Sequence, residues 1–135
     1  MLTWGDEYRI GHEDMDGEHI ILFALLNQLD INISANQAAT CVADLLRALL
    51  SYISFHFAHE EALMATYGYP ELAQHHRAHE ALIAETTRLG KRAATDDAGV
   101  VALEIRTFVR DWLLRHIREE DLRYAAHIRE LPNGL

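Results

Sequence analysis

Along four segments of this chain, the apolar stripe of a helix is interrupted by side chains that an ordinary core does not accept. His19, His56, Glu60, His75, His79, His116 and Asp121 supply five imidazoles and two carboxylates. Nearly all of them recur with apolar residues at spacings of three and four, the period of one helical face. Burying such groups is costly unless something binds them. Seven of them buried independently would make a poor core for a chain of 135 residues. Imidazole nitrogen and carboxylate oxygen together are the donor set of iron, manganese or zinc. The pattern predicts a metal centre, binuclear from its number of donors, inside a helical bundle.

The rest of the chain fits that scaffold. Two prolines, seven glycines and no sustained strand-like alternation predict an all-α fold. A first helix is expected over about 16–30, with His19, Leu22, Leu26 and Leu29 on one face. Residues 32–37 lack a stripe and form a connection. The second helix, about 39–66, carries Val42, Leu46, Leu49, Ile53, His56, Glu60 and Met64. Tyr67-Gly68-Tyr69-Pro70 stops it, with Gly68 suited to a left-handed cap and Pro70 to the next first turn. The third helix, about 70–89, places Leu72, His75, His79, Leu82 and Thr86 together. Thr95-Asp96-Asp97 offers a cap for a fourth helix over about 99–128, with Ile105, Phe108, Val109, Trp112, His116 and Ile117 inward. Pro132-Asn133-Gly134 closes the chain. Short connections imply an up-down-up-down four-helix bundle in a single domain, 1–135. Residues 1–15 read as an extended arm that packs Trp4 and Tyr8 onto it.

Charge and composition narrow the partners. A net charge of -9 argues against nucleic acid or an anionic membrane, since both attract basic surfaces. No apolar stretch is expected to reach bilayer-spanning length. The opening residues lack a basic cluster followed by an apolar run, so no signal peptide is expected. Cys41 is alone and cannot form an internal disulfide. The cytoplasm is the default compartment, and the sequence leaves any protein partner unknown.

Spacing ranks the donors unequally. His56 with Glu60, and His75 with His79, lie four apart and stack on one helix face. Asp121 follows His116 by five, about 140° round an ideal helix. Glu120, at four, has the better spacing. A π-type turn could instead bring His116 and Asp121 together. His12, His59, His76 and His127 fall off the stripes and read as solvated.

The motifs, in order, resemble the hemerythrin family, in its single-domain bacterial form, over nearly the whole chain. They are Trp4, Asp16-x-x-His19, His56-Phe57-x-x-Glu60-Glu61 with Met64, His75-x-x-x-His79, Trp112-Leu113-x-x-His116-Ile117 and Asp121-x-x-Tyr124. The resemblance implies a non-haem di-iron centre that reversibly binds dioxygen. His75, His79 and His116 would hold one iron, His19 and His56 the other, with Glu60 and Asp121 bridging. It thus selects Asp121 over Glu120.

Counting then gives a mechanism. Two octahedral irons offer twelve positions. Five histidines, two bridging carboxylates and one shared oxo or hydroxo group fill eleven of them. The vacant position falls on the iron with two histidines, where a diatomic ligand binds.

Leu22, Phe57, Trp112, Leu113 and Ile117 match the family's ligand pocket, and an apolar lining limits autoxidation. Glu18 stands where the pattern has glutamine, and an extra carboxylate there would favour ferric iron. The expected role is oxygen storage, delivery or scavenging, without enzymatic turnover. A sensor is disfavoured because no transducer follows before Leu135. A di-iron oxidative enzyme is disfavoured because bundle enzymes of that kind use carboxylate-rich ligation.

Overall fold

The computed structural model describes residues 1–132, with Ala38, Ala39 and Thr40 as backbone alone. The closing turn expected at Pro132-Asn133-Gly134 therefore falls, from residue 133 onward, outside the described residues. Every regular element among them is helical: α1 Glu13–Ser34, α2 Ala38–Thr66, α3 Leu72–Arg92, α4 Ala98–His116 and α5 Leu122–Arg129. A 3-10 turn, Asp6–Tyr8, lies in the arm, and a π-helical turn, Ile117–Asp121, joins α4 to α5. α1 packs on α2, α2 on α3, α3 on α4, and α4 back on α1. That closed ring is the up-down-up-down bundle the stripes imply.

The stripes meet at its centre. Leu22, Leu26 and Leu29 from α1 are buried against Val42, Leu49 and Ile53 from α2, Leu82 from α3, and Ile105 and Val109 from α4. Each such side chain contributes about 1.5–3 kcal/mol on leaving water.

Helix ends differ from the periodicity where capping chemistry decides them. α1 starts at Glu13, not near Asp16, because His12 is its cap: His12 Nδ1 accepts the Met15 N–H at 3.3 Å. Asp16 folds the arm instead, accepting the Ile10 and Gly11 N–H groups at 2.9 and 3.2 Å. Gly11 has φ +91, where a Cβ would also strike the Arg129 guanidinium. That guanidinium donates to the Ile10 carbonyl at 2.6 Å and ties the arm to α5. The arm is thus shorter than expected and part helical. Trp4 and Tyr8 do pack on the bundle, their rings 5.2 and 5.1 Å from Phe23.

At its other end, α1 continues past Asp30 to Ser34. Buried Asn32 stays helical because its side chain is bonded to Gln28 and Gln37 at 2.8 and 3.0 Å. Asn36 then takes the left-handed turn at φ 57.

Between α2 and α3, Gly68 adopts φ 65 as its sequence context predicts. Tyr69 N–H bonds the Met64 carbonyl at 2.9 Å and Gly68 N–H the Ala65 carbonyl at 3.2 Å, a Schellman cap. Pro70 lies in the turn itself, so α3 starts at Leu72. Gly68→Ala is expected to lower the stability of the metal-free protein by about 1–2 kcal/mol, the left-handed cost of a Cβ. A urea unfolding curve would check this.

Asp97 caps α4, as expected, accepting the Val100 N–H at 3.0 Å. One expectation fails on length: Cys41–Thr66 in α2 is long and apolar enough to cross a bilayer. That test reads length and composition only, and α2 is packed against α1, α3 and α4 with His56 and Glu60 turned into the bundle.

Candidate metal centre

The π-helical turn decides one side of the centre. An i to i+5 turn brings together residues that an α-helix would separate. His116 Nε2 thereby lies 3.1 Å from Asp121 Oδ1. The expected alternative, Glu120, does approach His116, but at its other nitrogen: Nδ1 is 3.2 Å from Glu120 Oε2. Spacing found the neighbour correctly and missed its position.

Around that turn, three imidazoles converge. His75 and His79 Nε2 lie 2.9 and 3.1 Å from His116 Nε2. Glu60 Oε1 stands 2.9 Å from His75 Nε2 and 3.0 Å from His79 Nε2. Asp121 Oδ1 is 3.1 Å from His75. The second oxygen of each acid turns the opposite way. Glu60 Oε2 is 3.4 Å from His56 Nε2 and 3.8 Å from His19 Nε2, and Asp121 Oδ2 is 3.2 Å from His19 Nε2. Two metal-capable groups result, and they share Glu60 and Asp121. All seven residues singled out by their stripes are brought together and buried.

Donors so arranged fit cations. Three imidazole Nε2 atoms face one point, where protons cannot satisfy every pair. His19 Nε2 and Asp121 Oδ2, which face the centre, approach at 3.2 Å, yet neither they nor Asp121 Oδ1 make a well-formed hydrogen bond among the described residues. Such buried orphans are costly unless a positive charge meets them.

Without metal, protons and carboxylates offset one another. Burial disfavours charge on His56, but the hydrogen bonds it donates to Glu18 and Glu60 outweigh it and raise its pKa to about 9. His75 is raised likewise to about 9 by Asp121 and Glu60, against burial. His116 reaches about 10, again against burial, mainly through Asp121. Burial would raise the acids, and Glu60's charge also pushes Asp121 up. The surrounding imidazoles instead hold Glu60 and Asp121 well below the carboxylate range.

Further groups join the centre from outside. Tyr124 O–H donates to Glu60 Oε2 at 3.0 Å. The outward nitrogens of His56 and His79 meet Glu18 and Glu61. Glu18 is the extra carboxylate expected near the centre and Glu61 is a motif neighbour, but periodicity carries no signal for the contacts of either. His59 and His76 stay off the centre as expected, yet both are bonded to these same acids. His12 caps α1, and His127 lies against the Tyr69 ring at 5.3 Å.

Leu22, Phe57, Leu113 and Ile117 are buried, and Trp112 is half-buried. Phe57 stacks on His79 at 3.6 Å and Trp112 on His116 at 4.3 Å. These two rings therefore cover the three-histidine group. On the other side, the nearest ring from the arm is Trp4, 6.5 Å from His19.

Fold and site together define a four-helix bundle built round a buried histidine–carboxylate cluster able to hold metal. A family profile described as hemerythrin HHE cation binding domain matches residues 10–128. The chain belongs to the hemerythrin family. It is 34% identical over 131 residues to a bacteriohemerythrin of Stenotrophomonas maltophilia, covering 96% of this chain and 82% of that one. It is 30% identical over 127 residues to a myohemerythrin of Riftia pachyptila, covering 93% and 92%. A crystal structure of wild-type hemerythrin superposes with a TM-score of 0.83 at 29% identity, over 93% of this chain and 96% of that one.

Proposed function

We propose that the protein binds dioxygen reversibly at a pair of irons held by His19, His56, Glu60, His75, His79, His116 and Asp121. The observation that carries this reading is the split of the donors. Each acid presents one oxygen to a three-histidine group and the other to a two-histidine group. Were two six-coordinate irons held there, five imidazoles, the two shared acids and one shared oxygen group would leave one position free, beside His19 and His56. When bound, the iron pair supplies reversible two-electron exchange with dioxygen.

The chain's own residues do the rest. Glu60 and Asp121 hold both sites at one separation, and Tyr124 steadies Glu60 through its O–H. Phe57 and Trp112 fix the His79 and His116 rings by stacking and keep water from that side. The histidine-rich donor set favours binding over oxidative turnover, which in bundle enzymes goes with carboxylate-rich ligation. Storage, delivery and scavenging of oxygen all fit this site, in the cytoplasm.

The test is direct. Protein reduced under anaerobic conditions and then exposed to air is expected to develop a coloured adduct that bleaches when oxygen is removed. Two irons per chain should accompany it. Iron-loaded protein that gives no reversible colour would defeat the reading.

A further inference from the structure

Two clusters at the outer edge of the seven donors repeat one arrangement. On one side, Glu18 Oε1 meets the inner histidine His56 at Nδ1, 2.8 Å away, and Oε2 meets the outer histidine His59 at Nδ1, 2.7 Å away. On the other, Glu61 Oε2 meets His79 Nδ1 at 2.7 Å and Oε1 meets His76 Nδ1 at 2.5 Å. In both, an acid spans a buried imidazole that faces the centre and an imidazole at the surface. The side chains of His59 and His76 are 41% and 48% exposed, so neither can reach metal. His76 is further tied to Glu80 through Nε2 at 2.9 Å.

A carboxylate only accepts, so each Nδ1 must carry its hydrogen. That leaves Nε2 of His56 and His79 as the lone-pair nitrogen turned inward, which is the tautomer a metal requires. An acid with one oxygen free could rotate and release that constraint. Its second oxygen is what prevents this.

We propose that His59 and His76 are positioning residues, each pinning one oxygen of an acid so that the other oxygen locks an inner histidine toward the metal. The two latches act on different halves: Glu18 with His59 on the two-histidine side, Glu61 with His76 on the three-histidine side. Glu18 also adds negative charge beside the half that has the open position. This rests on the iron-binding part of the proposed function, though not on oxygen binding.

The experiment uses iron-loaded full-length protein under anaerobic conditions and follows iron loss to a ferrous chelator. His59→Ala and His76→Ala are each expected to lose iron at least about threefold faster, toward the range seen when outer partners of metal ligands are removed. His59→Asn, whose amide nitrogen sits near the place of Nδ1, should restore the rate to within about twofold. Thermal unfolding of the metal-free variants should stay close to wild type, since both histidines are at the surface.

Glu18→Gln keeps a hydrogen bond to His56 and drops the charge. It should raise the midpoint potential, lowering the oxidised-to-reduced ratio at fixed potential about tenfold, or about 59 mV for one electron. Wild-type rates of iron loss in both alanine variants, or no recovery with His59→Asn, would overturn the proposal. A wild-type protein that holds iron but no dioxygen would defeat the oxygen reading and leave this one standing.

Discussion

Asp121→Asn is expected to lower bound iron from the proposed two ions per chain toward one and to weaken what remains by more than about a hundredfold. Its two oxygens face different histidine groups, Oδ1 toward His75 and His116 and Oδ2 toward His19. An amide offers one oxygen, so one group must lose a donor and receive an N–H in its place. Removing a shared donor should exceed the 10–100-fold cost of losing an outer partner. Glu120→Gln is the contrast. Glu120 touches only the outward nitrogen of His116, so iron should stay at two per chain with a loss of about tenfold at most. Iron analysis after equilibrium dialysis reads both. Equal losses in the two variants would refute the bridging role of Asp121.

Metal affinity should also climb steeply with pH. His56 and His75 hold protons up to about pH 9 and His116 to about 10, because the facing carboxylates outweigh burial. A metal must displace those protons. At pH 7 their release favours binding less than at pH 8, and each proton displaced steepens the rise by up to about tenfold per pH unit. The rise should level off near pH 10. In the metal-free protein the sign is opposite. These raised groups contribute stability fully below their ordinary value of 6.5, and that stability is lost as pH rises through 9 to 10. Calorimetric titration of zinc or ferrous ion into metal-free protein, in buffers of different ionisation enthalpy, counts the protons. A count near zero at pH 7 would contradict the charge balance described for the centre.

Much of this centre could be read in one dimension because its donors break a rule. A histidine on the stripe of Leu22, Leu26 and Leu29 is conspicuous, and four such stripes can meet only inside a bundle. The stop at Gly68 was equally legible, since only a left-handed residue closes that helix. What escaped depended on which helix lies beside which. Glu18 and Glu61 are acids next to half-polar faces, and nothing along the chain tells that His56 or His79 will stand opposite. Glu120 is the instructive case. Spacing placed it beside His116, but the choice between inner and outer nitrogen is made by a local change of helix type. The start of α1 escaped for another reason: histidine is an unusual cap, and His12 hides among residues that favour caps more strongly.

The π-helical turn at Ile117–Asp121 has a consequence for the chain beyond it. It acts as a phase shifter between two rods. The α5 residues after it, including Tyr124, Ala125 and Ile128 in the core, sit where they do because that turn is one residue wider than the helix around it. Losing a single residue there would rotate all of α5 by about 100°. Asp121, Tyr124 and the Arg129 contact that anchors the arm would leave together. The place of Asp121 in the centre, the packing of Tyr124 and Ile128 and the Arg129 tie to the arm thus share one angular offset.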